Sequence, residues 1–160
     1  MVPATKATDM LRELDEAARS TRSAGELMKL ICERLHQHLL KYNWVGFYMI
    51  EDDAGERVLL LGHFVGSMTP HTRIPLNQGI CGAAASTGKT LVVDDVSQDP
   101  RYLACSVETK SEIVAPIFAS GKVVGELDVD SHFPAAFTAE DRALVEHCAE
   151  LVGRSLENQG

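Results

Sequence analysis

Two cysteines and a group of acids are the residues of this sequence best suited to chemistry. Cys105 stands in "YLACSVETKSE", a polar stretch where a core cysteine is less expected than on a helix or strand face, so it is either a reactive thiol or a structural one. Cys81 stands in "QGICGAA", where the free backbone N–H groups of a helix start would favour a nucleophilic thiolate, although packing beside Ile80 fits the position equally well. In "ELDVDS", strand alternation would place Glu126, Asp128 and Asp130 on one face and Leu127 and Val129 on the other. With Glu112 entering the next strand over, the carboxylates would gather on one side of a sheet. Such a cluster repels itself, so one member tends to hold a proton near neutral pH and can act as a general acid. An acidic strand face in an acidic chain also fits a solvated outer surface. A metal site is a third use of such acids, but His36 and His38 are two apart on a helix and do not face one another, and no metal is expected. In "NWVGFY", alternation puts Trp44, Gly46 and Tyr48 on one side and Val45 and Phe47 on the other. One set belongs to a core, and the other could wall a small pocket beside Gly46, whose missing side chain leaves space for a ligand.

The elements that must position these residues follow from periodicity and punctuation. Leu11, Leu14 and Ala18 recur at helical spacing, and Ser23 to Glu26 form a capping box opening a second helix with Leu27, Leu30, Ile31, Leu35 and Leu39 on one face. Cys32 falls in that helix and reads as packing. "NWVGFYMIED" and "RVLLLGHFVG" read as two strands joined by the turn "DDAGE", and "TRIPL" as a short extended piece. A short helix around residues 80–87 leads to the strand "TLVVDDV", then to the irregular stretch containing Cys105. Two more strands flank the turn "ASGK", and Thr138 caps a last helix carrying Leu144, Val145, Cys148, Leu151 and Val152. The sum is an α+β fold, a largely antiparallel sheet with the N- and C-terminal helices on one face and ligand-binding loops on the other. Residues 1–22 supply an N-terminal helix and residues 23–160 the single globular domain.

Composition removes several classes of function. The 15 basic residues against 23 acidic ones give a formal charge of −8, which leaves no basic face for nucleic acid or an anionic membrane. The N-terminus has no basic-then-apolar leader and no apolar run approaches a membrane span, so a cytoplasmic location is expected. Cys32, Cys81, Cys105 and Cys148 are scattered with no C-x-x-C pair, against a zinc ribbon or a secreted disulfide framework. "AAASTGKTLVVDD" fits a loose phosphate-loop pattern, but the order is helix, glycine, strand, where a nucleotide loop needs strand, glycine, helix. It reads instead as an αβ connection with Lys89 in solvent.

"NWVGFY", "TRIPL", "GICGAAASTGKT", "DPRYLACSVETKSEIVAPIF" and "GKVVGELDVDS" followed by "FTAED" together resemble the GAF-domain free methionine-(R)-sulfoxide reductases, in the same order and over residues 25–152. The resemblance implies reduction of free L-methionine-(R)-sulfoxide: a thiolate attacks the sulfoxide sulfur, methionine leaves, and the resulting sulfenic acid condenses with a second cysteine. It places the nucleophile at Cys105 and its partner at Cys81. Glu112, Asp128 and Asp130 match the acids that hold the substrate amine and the sulfoxide oxygen, and Trp44 and Tyr48 the aromatic wall around the methyl end. Acids near an ammonium would select free methionine over a peptide residue. No bound cofactor is implied, only thioredoxin with NADPH, or a similar dithiol, as external reductant. Where many members carry a third cysteine this chain has His71, which either favours the Cys105 thiolate or caps a turn. A different class of function, a GAF module sensing a small ligand or oxidants without turnover, would need neither the thiol pair nor all three acids. A homodimer joined through the first and last helices fits either function.

Overall fold

Alternation on the central strands divides this molecule into two packed layers. The computed structural model describes residues 7–102 and 108–159, and in it six strands pair antiparallel in the order β3-β2-β1-β6-β5-β4. These are β1 (Trp44–Asp53), β2 (Glu56–Val65), β3 (Arg73–Pro75), β4 (Leu91–Val93), β5 (Ser111–Ala119) and β6 (Lys122–Ser131). Four helices join them: α1 (Ala7–Ser20), α2 (Ala24–His38), α3 (Gly79–Thr87) and α4 (Ala139–Gln159). The expected α+β domain with a largely antiparallel sheet is what forms.

The turns follow their residues. Ala54-Gly55 and Ser120-Gly121 all take positive φ, as a two-residue hairpin loop requires, and they set the registers of β1 with β2 and of β5 with β6. The Ser23 hydroxyl accepts from the Glu26 backbone N–H at 3.0 Å and starts α2. Thr138 and Asp141 cap α4 reciprocally, Thr138 N–H donating to Asp141 Oδ2 at 2.9 Å and Asp141 N–H to Thr138 Oγ1 at 3.3 Å. Gly88 ends α3 in the left-handed conformation with φ 68°. Strand β4 is shorter than "TLVVDDV" suggests, because Asp95 leaves the ladder to accept the Ser97 N–H at 3.0 Å and cap a 3-10 turn.

On one face, α1, α2 and α4 cover Val45 and Phe47 of β1, Ile113, Ala115 and Ile117 of β5, and Leu127 and Val129 of β6. Leu127 is fully buried there, and removing such a side chain from water contributes about 2 to 3 kcal/mol. Cys32 and Cys148 belong to this layer, as packing residues, and burial raises both thiols, Cys32 to about 12. On the other face lies a smaller apolar cluster of Trp44, Tyr48, Leu59, Ile74 and Val114 with Ile80, Cys81 and Ala84 of α3. Among the described residues no helix is long and apolar enough to cross a membrane.

Candidate active site

The second face is where the acids collect. Register opposes Glu112 to Asp130 and Val114 to Asp128 across β5 and β6, and Asp128 to Gly46 and Glu126 to Tyr48 across β6 and β1. Glu112, Glu126, Asp128 and Asp130 therefore share one side of the sheet, as alternation predicts. The solvated-surface expectation fails, since all four are at most 4% exposed. Loss of water drives each carboxyl well above the usual carboxylate range. Mutual repulsion adds to this, Asp128 acting on Glu112, Asp130 on Asp128, and Glu112 on Asp130. Asp128 Oδ1, Asp130 Oδ1 and both Glu126 oxygens are buried without a hydrogen-bond partner. A set of carboxyls in that condition holds protons at neutral pH and supplies acceptors for a cation.

Helix α3 brings Cys81 onto these acids. Gly79 turns the chain into the helix at φ +73°, a conformation costly for other residues, and Gly82 lets it lie flat, since a Cβ there would come within 2.9 Å of the Leu76 carbonyl oxygen. The Cys81 thiol then donates to Asp128 Oδ2 at 3.5 Å. The expectation that the helix start favours a thiolate is corrected. Burial, followed by the nearby carboxyls of Asp128, Glu126 and Glu112, raises Cys81 well above the ordinary thiol range, and these outweigh the helix end. Cys81, Glu112 and Asp128 offer ligand atoms within 4.8 Å of one another, a spacing a metal ion could also use.

Aromatic residues wall the site. Trp44 stacks on Phe64 with centroids 5.6 Å apart and lies 6.3 Å from Tyr48, and its Nε1 donates to the Ser67 carbonyl at 3.0 Å. The space over Gly46 is not ligand space, as alternation had suggested: a Cβ there would come within 2.3 Å of Trp44, so the glycine makes room for the indole. Tyr48 donates its hydroxyl to the His71 carbonyl at 2.7 Å, and the His71 N–H donates to Thr69 Oγ1 at 3.1 Å. The Thr69 hydroxyl thus holds the backbone at His71, which ties this segment to the aromatic wall.

Tyr48, His71, Ile80, Cys81, Glu112 and Asp128 close around a tight crevice with about 10 Å³ of free space. A neighbouring hollow, with about 20 Å³ of free space, is bounded by Trp44, Met68, Thr109, Asp130 and His132. A larger and more open groove, beside Lys89, Phe118, Arg142 and Glu146, is lined by no cysteine and by none of the four clustered acids. The structure thus gathers Cys81, Glu112, Asp128, Asp130, Trp44 and Tyr48 in one place. Cys105 lies outside the described residues. Glu126 is the functional candidate that sequence reasoning left out of the site; its place in the same alternation as Asp128 and Asp130 was the available signal.

The GAF domain family matches residues 23–156. A free methionine-R-sulfoxide reductase of Saccharomyces cerevisiae is 40% identical over 114 residues, which make up 71% of this chain and 62% of that protein. The chain therefore spans under two thirds of that relative's length. A type II free methionine-R-sulfoxide reductase from Thermoplasma acidophilum superposes with a TM-score of 0.77 at 39% identity, covering 91% of this chain and 96% of the other. The free methionine-R-sulfoxide reductase from Neisseria meningitidis, solved with its substrate, gives a TM-score of 0.88 at 29% identity over 99% and 96% of the two chains.

Proposed function

This chain belongs to the GAF domain family together with the free methionine-(R)-sulfoxide reductases, and from that premise we propose that it reduces free L-methionine-(R)-sulfoxide to methionine. The observation that carries the reading is the buried meeting of a thiol, Cys81, with Glu112, Asp128 and Asp130 beneath an aromatic wall. A carboxyl kept protonated by burial can protonate the sulfoxide oxygen, and the ionised members of the set attract an ammonium into a site of low dielectric. Trp44 and Tyr48 receive the apolar end of the substrate.

The chemistry assigned to the cysteines is as follows. The Cys105 thiol attacks the sulfoxide sulfur, the S–O bond of the substrate breaks, and oxygen passes to Cys105, leaving methionine and a sulfenic acid. The Cys81 thiol attacks that sulfenic sulfur, forming a disulfide and releasing water. Thioredoxin, kept reduced by NADPH, or a similar dithiol then returns both cysteines to thiols. Thr109, shortly after Cys105 in sequence, borders the hollow beside Asp130, which supports placing the nucleophile's loop at this site.

The test is a single turnover without reductant. Reduced protein mixed with excess free L-methionine-(R)-sulfoxide should release about one methionine per chain and lose two thiols. Cys81→Ser should still release methionine but accumulate a sulfenic acid and stall with thioredoxin. Normal steady-state turnover by Cys81→Ser would remove Cys81 from the cycle, and no methionine from the unaltered protein would remove the reductase reading.

A further inference from the structure

Cys81, Glu112 and Asp128 meet from three separate elements, α3, β5 and β6, and each carries an atom that can ligate a cation. Their ligand atoms lie within 4.8 Å of one another, and all three residues are buried. The Cys81 sulfur and Asp128 Oδ2 are 3.5 Å apart. A thiolate bonded at about 2.3 Å and a carboxylate at about 2.1 Å to one tetrahedral zinc ion stand about 3.6 Å from each other, so this pair already has the spacing of two ligands of a single ion. A movement of about 1 Å or less brings Glu112 to the same spacing.

A second observation, separate from the clustering, points to a ligand. Asp128 is 1% exposed, its Oδ1 is buried without a hydrogen-bond partner, and it borders the crevice that Cys81 and Glu112 also line. The free space there, about 10 Å³, is that of one water or one ion. A water would satisfy the oxygen but bring no charge. No Lys or Arg lines the crevice, and among the described residues no basic side chain forms an ion pair with Glu112 or Asp128. The counter-charge these acids need is therefore absent from the protein itself and has to come from what binds.

We propose that Cys81, Glu112 and Asp128 form a binding site for one thiophilic divalent cation, with zinc as the type ion. The sulfur ligand favours such an ion over magnesium or calcium, which take oxygen ligands in larger number. On binding, the thiol and the two carboxyls release their protons, and the dication takes over as counter-charge. Three protein ligands leave a fourth position for water. The ligands come from three elements, so no spacing in the sequence announces them, and the absence of a facing histidine pair does not bear on this site. The ion occupies residues assigned above to the substrate and to recycling, so it competes with free methionine sulfoxide. That consequence rests on the reductase reading, whereas the binding itself does not.

Equilibrium dialysis of the reduced, unaltered chain against Zn²⁺, with a Co²⁺ titration followed by absorbance, tests the site without any turnover. Zn²⁺ should bind saturably at one ion per chain and raise the melting temperature. Cys81→Ser and Asp128→Asn should each weaken it by more than about 100-fold, and Mg²⁺ in about 100-fold excess should leave it bound. Co²⁺ should produce a sulfur-to-metal charge-transfer band that Cys105→Ser retains and Cys81→Ser loses. No saturable binding at one ion per chain, a Co²⁺ spectrum without the sulfur band, a band that survives in Cys81→Ser, or displacement by Mg²⁺ would each overturn the proposal. Should Cys81→Ser or Asp128→Asn not fold, Glu112→Gln takes its place, with the same weakening expected and an unchanged affinity overturning the site. In single turnovers without reductant, the zinc-loaded protein should release no methionine until a chelator is added; unaltered release would overturn the competition. No release from the metal-free protein would be the failure of the reductase reading, and the dialysis result would still decide the site.

Discussion

The two faces of the sheet are built from alternate residues of the same strands and have opposite characters. On β6, Leu127 and Val129 enter an apolar layer sealed by three helices, while Glu126, Asp128 and Asp130 point the other way into an equally dry space filled with carboxyls. The first face gives up water and gains burial free energy. The second gives up water and gains unpaired polar atoms, which is a net cost to the fold. A folded chain tolerates such a cost where a ligand or a reaction makes use of it, and the helix face supplies the stability that permits it. Neighbouring residues on one strand can therefore be assigned to stability or to chemistry by which face they enter.

Substitutions that respect this division should separate the two properties. The largest effect is expected for Cys105→Ser, which should lower turnover by more than about 10³-fold while the circular dichroism spectrum stays unchanged; retained activity would remove Cys105 as nucleophile. Next is Asp128→Asn, for which kcat/KM toward free methionine sulfoxide should fall about 10² to 10⁴-fold. The same change should stabilise the protein at pH 8 by about 1 to 3 kcal/mol, because a buried carboxyl that repels its neighbours becomes neutral. Its partner in the comparison is Leu127→Ala, expected to cost about 2 to 5 kcal/mol in urea unfolding and to leave kcat nearly unchanged well below the melting temperature. If Leu127→Ala lost activity as severely as Asp128→Asn, the division of labour between the faces would fail.

The pH dependence of stability has a definite sign. Glu112, Glu126, Asp128 and Asp130 bind protons more tightly folded than unfolded. Between roughly pH 4, where carboxyls titrate in the unfolded chain, and their raised values, the folded state binds more protons. Their contribution therefore favours folding at low pH and is lost as pH rises through the raised values. Thermal melts of the Asp128→Asn variant should fall less steeply with pH over that window than those of the unaltered chain. The smallest effect is expected for Lys89→Ala in the Gly-Lys-Thr stretch, which should change neither turnover nor stability beyond about 0.5 kcal/mol.

Much of this was legible before any coordinates. The β6 alternation, the Ser23 and Thr138 caps, the glycine-bearing turns and the helix-glycine-strand order around Gly88 are local signals, and each held. What local signals could not carry was which side of an acidic strand would be covered. Burial of Asp128 depends on α3 crossing β6, a contact between residues 47 apart in sequence. The same contact reverses the expectation for Cys81, because a helix start acts over one turn while desolvation and three carboxyls act on the thiol at once. Gly46 misled for a related reason: a missing side chain marks space, but only the fold reveals that Trp44 fills it.

We propose that the acidic face selects free methionine-(R)-sulfoxide through its ammonium and its configuration. The most direct measurement follows NADPH oxidation with thioredoxin and its reductase while offering free L-methionine-(R)-sulfoxide, the (S) epimer and a peptide-bound sulfoxide in parallel. Turnover confined to the free (R) form is the result expected. Silence on all three by the folded protein, or equal turnover of the peptide-bound form, would contradict the account.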